Sequence, residues 1–486
     1  MLECEVRTVA VADRSTISVA VLFGAFALLS VLVGATLPIS ILALTAILSA
    51  AGALAMMALP PYLWAAAGLL LAILSRSLAG FAHPIVNFLH FPLVLGGALL
   101  TVLQPTRGTT ANKLGRGIIL LLAWSWLSWW LNGGDVLKPY LAWFVLAEPF
   151  LLVYTLLKAN LTASARAGLW TLVLALVLVQ LPVAAWQALR HGLGDPVAGT
   201  VGRWDVLGAV TMLGVLIFIV RIQNEPRGGR RLVQIACLGA LFVVPILAGG
   251  KSAFGISIIG VLYLVGRRII RNPGRTLPIV LVSAMCLGTA ALAAPFLSQA
   301  LDRAIVFYYL SRKADALTLF MAYARTSPTT WLIGLGPGNT FSRVALLAPG
   351  GLVNDYSPVA WLALSLTPIT RAAIAATFSG GYLAATSSIY QIWSSWAGVL
   401  GDLGLIGVAI YASLWWRLWK CVGRVHIGPG ACARAVILVS MLLGAFYDWL
   451  EEPAFILMAA FVVGLSAAEA TSQSTRDESA RSPRVM

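Results

Sequence analysis

Four cations stand outside the long apolar stretches of this chain, in surroundings that suit a phosphate. Arg203 lies in Gly199-Thr-Val-Gly-Arg-Trp-Asp205 and Lys251 in the tight run Gly249-Gly-Lys-Ser252. Arg312 and Arg325 belong to a segment of about a hundred residues, 297–392, that interrupts the apolar pattern. A guanidinium can donate two parallel hydrogen bonds to a phosphate, and a diphosphate offers several acceptor oxygens. A basic, partly apolar segment held against one face of a bilayer therefore suits an anionic, lipid-linked substrate. Three- and four-residue steps put Arg312, Asp315 and Tyr323 on one helical face. The plainer reading of each arginine is an exposed charge beside lipid headgroups.

Acids fall into three groups. Asp302, Asp315 and Asp355 are in the long segment. Glu148, just before Pro149, and Asp402, in Gly398-Val-Leu-Gly-Asp-Leu-Gly-Leu-Ile-Gly407, fall within apolar spans. A charge at that depth costs at least about 2.5 kcal/mol, so each needs a partner, a water-filled cavity or a bound proton. Substrate chemistry and structural ion pairing are both open for these two. Asp448, Glu451 and Glu452 cluster at a helix end, where they bind a sugar, supply a base or mark the water interface. His83, His90, His191 and His426 are far apart, with no Cys/His metal spacing, no phosphate-cradling lysine loop and no dinucleotide fingerprint. No metal and no cofactor are expected.

The elements that position these residues are apolar helices. Hydrophobic residues make up 60% of the 486, charged residues 10%, and the formal net charge is +15. Spans are expected at 17–36, 39–58, 61–79, 85–103, 117–131, 139–157, 167–187, 206–221, 232–248, 252–266, 277–296, 393–416, 434–449 and 453–468, each near the roughly 20 residues that cross a bilayer. The predicted fold class is all-α, a polytopic bundle of about 12–14 transmembrane helices with one long, partly helical loop near the C-terminal third. Seventeen Lys and Arg fall in alternate short loops, against five in the loops between. That bias makes both termini cytoplasmic and the long loop periplasmic, and it accounts for the basic charge without nucleic acid. The expected divisions are an N-terminus at 1–16, a bundle at 17–296, the loop at 297–392, C-terminal helices at 393–468 and a disordered tail at 469–486. Trp124, Trp126, Trp129 and Trp130 read as an interfacial belt. Apolar stretches 358–368 and 371–378 either lie on the membrane or pack on the bundle.

Read in order, four landmarks resemble the O-antigen ligase and polymerase superfamily of bacterial envelope glycosyltransferases. They are the Arg203 loop, the Gly-Lys-Ser turn at 250–252, Arg312 ahead of Trp331-Leu-Ile-Gly-Leu-Gly-Pro-Gly-Asn-Thr-Phe341, and Gly401-Asp-Leu-Gly-Leu-Ile-Gly407. The resemblance covers roughly 180–465, with Gly334, Gly336 and Gly338 as family-motif glycines. It implies a metal-independent enzyme of the bacterial inner membrane that moves glycan from an undecaprenyl-diphosphate carrier to a hydroxyl acceptor. Arg203, Arg312 and Arg325 would bind the departing diphosphate, with Lys251 replacing a usual arginine. Membrane lipids and other polysaccharide-assembly proteins are the further partners. Ligases of the family carry a histidine after the loop, where this chain reads Thr386-Ser-Ser-Ile-Tyr-Gln-Ile-Trp-Ser-Ser-Trp396. The departure favours a polymerase-like reading and leaves Asp355, Asp315 or Glu451 as the base. The alternatives are a lipid-linked oligosaccharide flippase or a non-catalytic partner of a secretion complex.

Overall fold

The computed structural model describes residues 59–79, 88–102, 109–159, 161–194, 196–226, 228–248, 258–266, 303–325, 328–347, 365–378, 394–423, 428–448 and 450–481. Among the described residues every regular element is a helix, the form that lets a backbone satisfy its own polar groups in hydrocarbon. In chain order the helices are α1 Pro61–Ala79, α2 His90–Val102, α3 Thr109–Asn132, α4 Leu137–Lys158, α5 Ala163–Leu178, α6 Gln180–His191, α7 Trp204–Asn224 and α8 Gly229–Leu247. They continue as α9 Arg303–Ala324, α10 Pro328–Ile333, α11 Arg343–Leu347, α12 Pro368–Phe378, α13 Ser395–Val422, α14 Pro429–Phe446 and α15 Pro453–Arg481. Residues 258–266 are also helical.

Eight of these, counting α5 with α6 as one, are long and apolar enough to cross a membrane. The chain is therefore a multi-pass membrane protein. The expected spans 17–36, 39–58 and 277–296 lie outside the described residues. Three expectations are adjusted. The span at 85–103 appears as α2, only 13 residues long and starting at His90. The span at 167–187 divides at Val179, because Pro182 has no N–H to donate back to Leu178. The disordered tail expected from 469 is instead helical to Arg481, extending through Ala467, Ala468 and Ala470, the best helix formers.

Helices α7, α15 and α4 form the centre, with 94%, 83% and 72% of their apolar windows buried. Helices α3, α5–α6 and α8 form the rim at 33%. The rim leaves Ile119, Trp130, Leu189 and Leu232 exposed, as lipid-facing positions are. Antiparallel succession brings 133–136, 192–203, Ser394 and 447–452 to one end of the bundle, called here the site end. A second, smaller core lies there. Phe320 of α9, Phe341, and Ile369, Ala373 and Ile374 of α12 pack together, with Trp331 edge-on to Phe320 at 5.1 Å. Thus the described part of the long segment is largely helical, and α12 packs its apolar side against α9 and Phe341.

Candidate functional site

The base of the site is a break in α13. Gly404 has φ +65°, non-helical inside an otherwise continuous helix. The turn it interrupts releases carbonyls that other segments of the chain take up. Leu335 N–H donates to Gly401 O at 2.8 Å, Gly336 N–H to Asp402 O at 3.1 Å, and Trp124 Nε1 to Leu403 O at 2.8 Å. Ser128 Oγ donates to Ile333 O at 2.8 Å. Trp124 therefore holds this break, whereas Trp130 is exposed. At Gly334, φ +78°, a Cβ would collide with the Asp402 carbonyl, and one at Gly404 would collide with the Leu332 carbonyl. Loop and broken helix meet backbone to backbone, which only glycine permits.

Asp402 closes the knot. Its carboxylate accepts from the N–H groups of Gly338 (2.6 Å), Asn339 (3.2 Å) and Thr340 (2.9 Å), and from the hydroxyls of Thr340 and Ser342, both at 2.6 Å. Successive N–H groups in such a turn form an anion-binding concavity. Here the anion is the protein's own carboxylate, so the glycine run at 334–338 fastens the loop to the bundle and its nest is filled. Lys138, 1% exposed, adds a second fastening by donating to Asn339 Oδ1 at 2.6 Å and Ser365 O at 2.8 Å. Asp135 accepts from Ser365 N–H at 2.6 Å and from its hydroxyl at 2.7 Å.

This fastening carries Arg343, immediately after the knot, to the turn between α14 and α15. Arg343 N–H donates to Glu451 Oε2 at 2.5 Å, and its Nη1 donates to Glu451 O at 3.0 Å and Glu452 Oε2 at 2.5 Å. Glu452 also pairs with Arg203 Nη1 at 3.5 Å. Arg203 in turn grips Asp205 through Nε at 3.0 Å and Nη2 at 2.6 Å. Burial alone would weaken the Arg203 charge, but Asp205, Glu452 and Asp448 outweigh it and hold the guanidinium well above its ordinary range. The acids have a helical reason to be here. Asp205 opens α7 and Glu452 precedes Pro453 at the start of α15, where the positive end of the helix dipole favours them. Ser394 and Ser395 fix the turn: Ser394 Oγ donates to Ala445 O at 2.9 Å, and Leu450 N–H donates to Ser395 Oγ at 3.1 Å.

Glu451 stands apart from its neighbours. It is 3% exposed, and among the described residues its Oε1 has no hydrogen-bond partner. Burial first, and then Asp448 and Asp402, push its carboxyl well above the ordinary range, against the pull of the Arg343 N–H and guanidinium. A buried carboxyl with one oxygen engaged and the other open can accept or give a proton.

The remaining sequence candidates are distributed as follows. Arg203 is in the cluster, 20% exposed at its side chain, and bound to acids. Asp315 lies half-buried on α9, and Arg325 is exposed at its end. Arg312 is on α9, but its side chain, like Lys251 and Asp355, lies outside the described residues. Glu148 pairs with His90 Nδ1 at 2.5 Å, both buried. Of the two acids in apolar spans, Glu148 thus has His90 as a hydrogen-bond partner, and Asp402 is held by hydrogen bonds from the glycine run. Arg343, Lys138 and His90 were present in the sequence as isolated polar residues whose partners lie up to 227 positions away. The usable signal was Thr340 and Ser342 beside the glycine run, hydroxyls placed to bind a carboxylate. No family model matches this chain, and no curated protein matches it.

Proposed function

We propose that the chain is a glycosyltransferase of the bacterial inner membrane, with both termini cytoplasmic and the site end periplasmic. It would transfer or polymerise glycan from an undecaprenyl-diphosphate donor onto a hydroxyl acceptor. The observation that carries this reading is convergence. The Arg203 loop, the glycine run with Arg343, the broken helix at 401–407 and the acids at 448–452 meet at one end of the bundle, although they are far apart in the chain.

The division of labour follows from charge. Arg203 and Arg343 sit among Asp205, Asp448, Glu451 and Glu452, so this cluster by itself suits proton handling better than diphosphate binding. The leaving diphosphate would fall to Arg312 and Lys251, with Arg325 nearby in sequence and the unspent edge of Arg203 helping. Diphosphate leaves readily, so cations placed where its charge develops contribute most of the rate gain.

Deleting the gene and analysing surface glycan length tests the proposal. The expected result is single lipid-linked repeats accumulating outside the membrane. Arg312→Ala and Lys251→Ala should each abolish polymer at unchanged protein level, and normal glycan in both variants would sink the reading. A flippase is the second reading, favoured by the His90–Glu148 pair deep in the bundle, where transporters bind their coupling ions. It predicts accumulation on the inner face instead.

A further inference from the structure

Resting on that transferase reading, we infer that Glu451 is the proton acceptor for the attacking hydroxyl. The chain offers three candidate acids for this role. Asp315 is on α9, half-buried, and already engaged elsewhere; Asp355 lies outside the described residues. Glu451 alone of the described candidates combines a fixed carboxyl with an unpaired oxygen. Its Oε2 is held by the Arg343 N–H at 2.5 Å, so the plane of the group is set, and Oε1 is buried with no partner. Leaving a buried acceptor unpaired costs about 1–3 kcal/mol, a cost that an incoming O–H would remove.

The groups facing Glu451 come from four directions. Arg343 follows the glycine knot, Asp448 and Glu452 share its own turn, Asp402 and Tyr411 belong to α13, and Arg203 reaches in through Glu452. Acids dominate that shell, and together with burial they raise the proton affinity of Glu451. A carboxylate so destabilised is a stronger base than one in water.

The step balances within the site. The acceptor O–H proton passes to Glu451 Oε1 as the acceptor oxygen bonds to the anomeric carbon. The bond from that carbon to the diphosphate breaks, and its electron pair leaves with the polyprenyl diphosphate. Glu451 then releases the proton to external water. The Arg343 guanidinium and N–H hold the carboxyl in position throughout.

The test uses the full chain in liposomes, with lipid-linked glycan extracted from cells lacking the protein. Transfer by the wild type should rise with pH along a limb whose midpoint lies above the ordinary carboxylate range. Glu451→Gln should lose about 10²- to 10⁴-fold in rate and lose that limb, with donor affinity unchanged. Glu451→Asp should keep a limb at reduced rate. Infrared difference spectra across the same pH range should show a protonated-carboxyl band that Glu451→Gln removes, which reports on the residue without any turnover. Wild-type transfer together with an unchanged rate in Glu451→Gln would overturn the assignment and spare the transferase reading. A wild type that transfers nothing would overturn both.

Discussion

Replacing Asp402 by alanine would leave the N–H groups of Gly338 and Thr340 and the hydroxyls of Thr340 and Ser342 without their acceptor in a buried place, and the Asn339 N–H with Gly336 O at 3.3 Å. Each buried group so stranded costs about 1–3 kcal/mol, and removing one partner of a buried charged network typically costs about 3–5 kcal/mol in all. Asp402→Ala should therefore lower the thermal unfolding midpoint of the detergent-purified protein more than Asp402→Asn, which keeps one acceptor oxygen. Equal midpoints for wild type and Asp402→Ala would show that the knot does not hold the loop. Glu451 makes a different demand on the fold. Its carboxyl titrates above the ordinary range, so the folded chain binds that proton more tightly than the unfolded chain does. Its contribution to stability is full below the ordinary carboxylate range and falls as pH rises from there through the raised folded value. Measured against wild type, Glu451→Gln should gain relative stability as pH rises across that window. A difference that stays flat with pH would place the proton elsewhere.

Two glycines in long helices separate an element's geometry from its composition. Gly404 has φ +65° and abuts the Leu332 carbonyl, while Gly239 in α8 is surrounded by open space. Gly404→Ala should cost at least about 1–2 kcal/mol for the left-handed backbone, and more from the collision. Gly239→Ala should be neutral or stabilise by up to about 1 kcal/mol, since it only limits the unfolded chain. Unfolding of the two variants checks the contrast, and similar effects would deny the break in α13. The sequence shows both residues simply as glycine within an apolar run, so the break could not be read there. Hydropathy located α1, α4, α7 and α8 to within three residues, because burial in lipid depends on local composition, and it found α3, α13, α14 and α15 while missing their ends by five to thirteen residues. It could not reveal that Asp402 meets a loop some sixty residues before it, or that Arg343 meets Glu452 after 109 intervening steps. Those pairings depend on how helices stack. For the same reason the cations were legible as a set with a plausible chemistry, whereas the acids that claim Arg203 and Arg343 were not legible as their partners.

At the scale of the whole molecule, orientation decides whether the site can meet a substrate carried on the outer leaflet. The excess of Lys and Arg in alternate loops argues that the end bearing 159–162 and 223–228 faces the cytoplasm, because basic loops resist translocation. On that proposed orientation the site end, with Arg203, Arg343 and Glu451, faces outward. Labelling tests this without any knowledge of the glycan. Val136 is 51% exposed in the connection between α3 and α4, and Ser164 is exposed at the opposite end, at the start of α5. In a background freed of native cysteines, Val136→Cys should react with a membrane-impermeant maleimide in intact spheroplasts. Ser164→Cys should react only after lysis. The opposite pattern would turn the charge cluster toward the cytoplasm, where a periplasmic polymerase could not work, and the transferase proposal would fail whatever the chemistry of Glu451.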